Sequence, residues 1–288
     1  MAGPDHHQAP GELADQSVRP RQAPGAGAPG PGPAGPAGAG PLLHPDRGCS
    51  SSRDGAPSAR GYDRWIRQLI HNLGSTRAAI ILEPDAVPAD CFGPHRAALL
   101  KRNVKRLADA GQYVYLDAGH VGWRSSGEMA QRLLDSGVQY AQGFSVNVSN
   151  RQTTKLSYQW GRELSDLIGN REFVIDTSRN GLGPPPDEPG RDDEWCNPLR
   201  QALGQPPTTR TTAAGLGALL WIKPPGESDG ICRGEHTYLF SPTQARRLIP
   251  TAARCRRSTG GSRSLSGRAR RPSPGSLRSD RYRRKAGA

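Results

Sequence analysis

Four aspartates follow short apolar runs, at points where the chain changes abruptly from apolar to polar. Asp85, Asp117, Asp176 and Asp229 stand at or shortly after the ends of runs with the length of β-strands. A fifth run ends in Ser149-Asn150. Positioned carboxyl groups donate and accept protons, so carboxylates gathered at one edge indicate acid–base chemistry on a polar substrate.

The alternation of apolar runs with helix-like segments predicts the strands and helices that must position these residues. Apolar runs occupy residues 78–82, 113–116, 144–148, 173–175 and 218–222, and helix-like segments separate most of them. This order predicts an α/β fold with a parallel sheet and crossover helices. In closed sheets of this kind the active site lies at the carboxyl ends of the strands.

Amphipathic spacing predicts helices over residues 58–73, 95–110, 125–137 and 153–169. Ser58 is expected to cap the first helix, and glycines end the third and fourth. Trp65 and Trp160 lie on apolar helix faces and are expected in the core. Residues 181–212 are rich in Gly, Pro and Asp and predict a long loop of the kind that shapes binding sites.

The two ends of the chain differ in composition from its centre. Nineteen of the 21 residues from 21 to 41 are Ala, Gly or Pro, so residues 1–41 predict a disordered arm. Residues 251–288 carry 12 Arg or Lys against one Asp, which gives +11 of the net +13. This tail is expected to be disordered and solvated, with nucleic-acid binding as the less favoured alternative. Residues 42–250 remain as one domain.

Targeting signals and membrane spans are not visible. No apolar segment follows Met1, and no run of about 18 apolar residues occurs, so neither a secretory signal peptide nor a membrane span is expected. Five cysteines suit an extracellular protein with two disulfides, and their spacing does not favour zinc. We expect Cys49 to pair with Cys91 and Cys196 with Cys232, which leaves Cys255 over.

Five motifs, taken together and in order, resemble glycoside hydrolase family 6, the inverting endoglucanases and cellobiohydrolases that cut β-1,4-glucans. The motifs are IILEPDA at 80–86, YLDAGH at 115–120, NVSN at 147–150, EWCNP at 194–198 and WIKPPGESDG at 221–230. The resemblance covers residues 46–249, about 70% of the chain. It implies a distorted parallel β/α barrel whose substrate groove lies at the carboxyl ends of the strands.

The resemblance also implies roles for individual residues. Asp85 matches the general acid, Asp229 the residue proposed as base, and Asp117 a supporting carboxylate, as an inverting glycosidase requires. Sugar-contacting positions are matched by His120, Trp123, Asn150, Trp195, Lys223 and Glu227. The implied partner is a β-1,4-glucan outside the cell, bound by a monomer without metal or cofactor. Asp176 is expected to be structural and to pair with Arg179.

The sequence departs from the family near its first motif. The family carries an Arg-Asp-Cys triplet after its first strand, whereas this chain has Arg47-Gly48-Cys49 and no counterpart of that strand. The barrel is therefore expected to be incomplete and its activity impaired. Three hypotheses follow: a β-1,4-glucan hydrolase, a glucan-binding protein without catalysis, and an interaction protein acting through the basic tail.

Overall fold

The computed structural model describes residues 45, 49, 56, 58–186, 195–236 and 239–249. The chain divides into two units, Met1–Gly38 and Ala39–Ala288, and all the described residues belong to the second. The arm predicted over residues 1–41, the tail over 251–288, Gly48 and Cys255 lie outside the described residues.

Five parallel strands form one sheet within the described residues, and they stand in the order of the chain. The strands are β1 (Ala79–Leu82), β2 (Tyr113–Asp117), β3 (Gly143–Val146), β4 (Glu172–Asp176) and β5 (Leu216–Leu220). They curl into half a barrel, which confirms the predicted α/β class and the incomplete, distorted parallel β/α barrel. Each predicted apolar run supplies one strand.

Helices connect the strands and cover one face of the sheet. The α-helices are α1 (Ala59–Leu73), α2 (Pro94–Asp109), α3 (Ser126–Asp135), α4 (Thr154–Leu167) and α5 (Pro242–Leu248), with a 3₁₀ turn at Val138–Tyr140. The hydroxyls of Ser58, Ser125 and Thr153 accept backbone N–H bonds at the first turns of α1, α3 and α4. Among the described residues, no helix is both long and apolar enough to cross a bilayer.

The third strand is shorter than its apolar run. The run continues to Val148, but β3 ends at Val146 because Asn147 and Ser149 adopt φ angles of 67° and 57°. These left-handed conformations are incompatible with a continuing strand. The turn redirects the chain so that residues 149–151 lie along the edge of the sheet, where the functional residues gather.

The core lies mainly between the sheet and the helices. Phe144 stacks on Phe173 at 5.5 Å between ring centroids, and Trp160 is buried beside them in the same cluster, as its position on α4 predicts. The opposite face of the sheet holds a smaller cluster built on Tyr115, Val174 and Ala218. The helix-covered face therefore supplies most of the hydrophobic stabilisation of the strands.

Both expected disulfides are present in the structure. Cys49 is bonded to Cys91, and Cys196 to Cys232. The second bond joins the predicted long loop to the segment after β5. The described parts of that loop, 181–186 and 195–212, contain neither helix nor strand.

Candidate active site

The first strand ends in a backbone conformation that separates two carboxyl groups. Glu83 and Asp85 have φ angles of 51° and 71°, a region that non-glycine residues rarely occupy. Glu83 is buried, whereas Asp85 is exposed. Such local strain occurs preferentially at functional sites. Here the turn presents the carboxyl group of Asp85 to solvent at the carboxyl end of β1.

The side chain of Asp117 lies directly behind Asp85 and is completely buried. Its Oδ2 accepts a hydrogen bond of 2.8 Å from the backbone N–H of Asp85, and its Oδ1 accepts one of 3.3 Å from the hydroxyl of Ser145. Burial, reinforced by the negative charge of Asp85, raises the pKa of Asp117 to about 7. Asp117 therefore holds a proton well above the usual range of a carboxyl group.

An aromatic pair follows β2. The rings of His120 and Trp123 lie 5.3 Å apart, and both side chains are partly exposed. Gly119, at a φ of 74°, lets them approach, because a Cβ there would stand 2.8 Å from the ring of Trp123. Burial lowers the pKa of His120 and favours its neutral form. This loop presents an aromatic surface on the Asp85 side of the edge.

Asp176 fixes the backbone in the middle of the edge. Its two oxygens accept four backbone N–H bonds: from Ser149 at 3.0 Å, Ser178 at 2.8 Å, Ile222 at 3.3 Å and Lys223 at 3.1 Å. The expectation of a structural role agrees with these contacts, but the expected pairing with Arg179 is wrong. The four backbone donors occupy the carboxylate, and Arg179 pairs with Asp229 instead.

Asp229 lies beyond β5 and is held by two buried arginines. The Nη2 atoms of Arg151 and Arg179 lie 2.9 Å and 2.5 Å from its oxygens, and the backbone N–H of Asn197 donates to Oδ2 at 3.0 Å. The carboxylate is only 5% exposed. Burial opposes ionisation, but Arg179 and Arg151 outweigh it and lower the pKa of Asp229 below its usual range.

The remaining predicted sugar-contacting residues lie along the same edge. Lys223 Nζ donates to Glu227 Oε1 at 2.7 Å and to the carbonyl of Ser228 at 3.1 Å. Asn150 is partly buried, and its Oδ1 accepts a hydrogen bond from the backbone N–H of Arg151. Trp195 is 60% exposed, a large fraction for a tryptophan. Polar side chains and an exposed indole are the usual means of binding a carbohydrate.

Contacts join the neighbouring strand ends along the edge. Asp85 and Asp117 are bonded across β1 and β2, and the Asp176 contacts join the ends of β3, β4 and β5. Sequence reasoning missed Arg151, Arg179 and Asn197 as partners of Asp229. Arg151 and Arg179 each follow a polar residue at a strand end, which was a usable signal, whereas nothing in the sequence indicates which carboxylate they meet.

Metal-binding clusters are not found in the described part of the chain, where no three His, Cys, Asp or Glu side chains are grouped to hold an ion. The edge carries one exposed carboxyl, one buried carboxyl with a raised pKa and one buried carboxylate between two guanidinium groups.

The fold and the site together define a class of protein: a parallel β/α half-barrel with carboxyl groups at the carboxyl ends of its strands. The chain belongs to glycosyl hydrolases family 6, whose family model matches residues 43–253.

Known relatives agree with this assignment. Endoglucanase A of Cellulomonas fimi is 43% identical over 193 residues, which cover 66% of this chain and 41% of the relative. Endoglucanase A of Thermobispora bispora is 37% identical over 221 residues, 73% of this chain and 47% of the relative. The chain spans about half the length of the curated relatives it matches. Among four endoglucanases, the covered share of the relative ranges from 41% to 63%.

Solved structures share the fold. The endoglucanase Cel6 of Mycobacterium tuberculosis, determined with methyl-cellobiosyl-4-deoxy-4-thio-β-D-cellobioside, superimposes with a TM-score of 0.67 at 45% sequence identity. The match covers 72% of this chain and 73% of that one. Endoglucanase CEL6B of Humicola insolens gives a TM-score of 0.61 at 25% identity.

Proposed function

We propose that this protein is an O-glycosyl hydrolase that cleaves β-1,4-glucosidic bonds of cellulose or a related β-glucan, with inversion at the anomeric carbon. The observation that carries the proposal is the pair at the ends of β1 and β2. Asp85 is exposed where a substrate can reach it, and its backbone is held by the buried carboxyl of Asp117. Endoglucanases among the relatives support the substrate class.

Asp85 is the general acid of this mechanism. Its carboxyl proton passes to the glycosidic oxygen as the bond from that oxygen to the anomeric carbon breaks. Asp117 serves as the supporting carboxyl, because two neighbouring acidic groups do not readily ionise together. A proton is thereby kept on the pair up to about neutral pH, where Asp117 itself titrates.

Asp229 is the candidate base for the attacking water. Ion pairs and hydrogen bonds occupy its oxygens, and it is almost completely buried. We propose that it acts as a fixed negative charge which accepts the proton of the attacking water through an intervening water. Its lowered pKa keeps it ionised, as a base opposite a general acid requires.

The sugar units are bound along the edge between these carboxyl groups. His120 and Trp123 contact the glucan on the Asp85 side, and Trp195 stacks on a pyranose ring. The hydroxyl groups of the sugar receive hydrogen bonds from Asn150 and Lys223, and Glu227 accepts them. These assignments rest on the resemblance to the family and on the exposure of the side chains.

The setting proposed for the enzyme is extracellular, and the two disulfides support an oxidising compartment. We propose that residues 42–250 act as a monomeric catalytic domain, and that residues 1–41 and 251–288 are extensions of this domain that bind no nucleic acid. The glucan-binding alternative without catalysis is supported by one residue, Gly48, which stands where the family has an aspartate.

Reducing-sugar release from soluble cellulose tests the proposal. The Asp85→Asn variant should lose about 10²–10⁴-fold in rate and still bind cello-oligosaccharides, because an amide keeps the shape but donates no acidic proton. Asp109→Asn, a change at an exposed ion pair on α2, is the matched control. A wild-type protein that binds oligosaccharides without cleaving them would establish the non-catalytic alternative.

A further inference from the structure

One buried guanidinium group connects three separate segments of the candidate site. Arg151, which follows β3, donates from Nη2 to Asp229 at 2.9 Å and from Nη1 to the carbonyl of Trp195 at 2.9 Å. Its Nε and Nη2 also reach Oε1 of Gln201 at 3.3 Å and 3.0 Å. The side chain is only 4% exposed. A planar fork of donors is required to make these contacts together.

The contacts of Gln201 continue the connection into the last helix. Gln201 Nε2 donates to the carbonyl of Pro198 at 2.7 Å and to Gln244 Oε1 at 3.0 Å, and Gln244 donates to Glu235 at 2.8 Å. Residues 195–201 are therefore held by Arg151 on one side and by α5 on the other, in addition to the Cys196–Cys232 bond and the Asn197 N–H bond to Asp229. The exposed indole of Trp195 projects from the beginning of this fixed segment.

Charge balance at Asp229 does not require Arg151. Arg179 already lies 2.5 Å from the same carboxylate, so a second buried arginine leaves an excess positive charge. Burial, followed by the repulsion of Arg179, lowers the pKa of Arg151 to about 10. A buried charge is costly unless its hydrogen bonds are satisfied, and the remaining donors of Arg151 are directed to Trp195 and Gln201. Its position is explained by these tethers.

We infer that Arg151 is a positioning residue, which fixes the sugar-stacking Trp195 segment relative to the carboxylate of Asp229. Its role is to hold the bound sugar at a fixed position relative to the water-activating carboxylate, without touching the substrate itself. The kinetic consequences rest on the glucan hydrolysis proposed above, whereas the tether itself is a property of the folded chain.

Two substitutions separate the tether from the charge. Arg151→Lys keeps a positive charge near Asp229 but cannot reach Trp195 and Gln201 together. The Michaelis constant for a cello-oligosaccharide should rise about tenfold, because misplaced positioning groups weaken productive binding. The acid limb of the kcat/KM profile should stay in place. Arg151→Met removes the charge as well and should move that limb about one pH unit upward, since one opposite charge is lost.

A readout independent of catalysis is limited digestion of the full chain. Trypsin cleavage after the exposed Arg200, followed by mass spectrometry after reduction, reports how firmly residues 195–201 are held. Both Arg151 variants should be cleaved at this bond about tenfold faster than the wild type, because cleavage follows local opening. Arg162→Lys, a change in a surface ion pair on α4, should match the wild type in every assay.

The outcomes separate this inference from the proposed function. If the wild type does not cleave glucan, the proposed function fails, and the trypsin assay alone decides the tether. If Arg151→Met does not fold, Arg151→Lys carries the test. An Arg151→Lys protein with the wild-type Michaelis constant would overturn the positioning role. Wild-type cleavage after Arg200 in that variant would overturn the tether.

Discussion

The two ends of the sheet edge place the same type of residue in opposite environments. At β1 and β2, Asp117 is buried beside Asp85, another acidic group, and burial with that neighbour raises its pKa to about 7. Beyond β5, Asp229 is also buried, but Arg179 and Arg151 lower its pKa. One end of the edge therefore retains a proton, whereas the other end retains a negative charge.

The comparison shows that, when burial acts alike on two carboxyl groups, the charge of the neighbours decides whether the pKa ends above or below its usual range. Burial is the largest influence on both residues and acts in the same direction. The difference comes from the charge of the nearest partner, which is negative for Asp117 and positive for Asp229. Acidic groups pushed apart in this way are what an acid–base mechanism near neutral pH requires.

Removal of the Asp229 carboxylate, at the far end of the edge, should have the largest effect on stability. Asp229→Ala leaves Arg151 and Arg179 buried without their partner, which should lower the free energy of unfolding by about 3–5 kcal/mol. Urea unfolding of the purified variant measures this loss. The control is Asp166→Ala, which removes the partner of an exposed pair on α4 and should cost at most about 1 kcal/mol. Equal losses in the two variants would show that Asp229 is not held as described.

The pH dependence of stability should have opposite signs at the two ends. Because the folded pKa of Asp117 is about 7, above its value of 3.8 in the unfolded chain, its stabilisation is complete below about pH 4 and is lost as the pH rises to 7. The folded pKa of Asp229 is lowered, so its contribution is present above about pH 4 and is lost as the pH falls through the folded pKa.

Asparagine variants isolate these two contributions. Relative to Asp117→Asn, the wild type should lose up to about 1.4 kcal/mol per pH unit between pH 4 and 7. Relative to Asp229→Asn, it should lose stability below pH 4. Unfolding in urea across the pH range measures both differences. Parallel curves for the wild type and Asp117→Asn between pH 4 and 7 would contradict the raised pKa.

A change at Asp176, in the middle of the edge, should lower stability whatever the protonation of Asp117 or Asp229. Asp176→Asn places an amide NH₂ against backbone donors and should lower the free energy of unfolding by about 1.5–3 kcal/mol. Hydrogen exchange at Lys223 and Ser149 should accelerate in the variant, because these N–H groups lose an acceptor. Unchanged exchange at both amides would show that Asp176 does not organise the strand ends.

The strands and most helices could be predicted because their signals are local. Apolar runs bounded by polar clusters identify all five strands, and spacing with capping residues identifies α1 to α4. The end of β3 was missed because the left-handed turn at Asn147 depends on contacts such as its N–H bond of 2.7 Å to the carbonyl of Gly119. The sequence of the strand contains no sign of that contact.

The site was predictable in its acidic residues and not in its basic ones. Asp85, Asp117 and Asp229 lie in motifs at strand ends, so position and motif agree. The partners of Asp229 lie 78 and 50 residues away, and a sequence with more arginines than acidic partners does not specify the pairs. The expected pairing of Asp176 with Arg179 failed for this reason, since proximity in sequence was the only guide.

The smallest effect is expected at the side chain of Trp195, because its carbonyl contacts Arg151 but its indole projects out of the buried network. Because its indole is 60% exposed, Trp195→Ala should change the free energy of unfolding by less than about 0.5 kcal/mol. The loss of stacking on a sugar should weaken cello-oligosaccharide binding by about 1 kcal/mol, or about fivefold, in calorimetric titration. Trp160→Ala is the contrasting variant, because this buried residue should cost about 3–5 kcal/mol of stability. If Trp195→Ala bound the oligosaccharide as tightly as the wild type, the groove would not extend to the Asp229 end, and substrate contact would be confined to the side of Asp85 and Trp123.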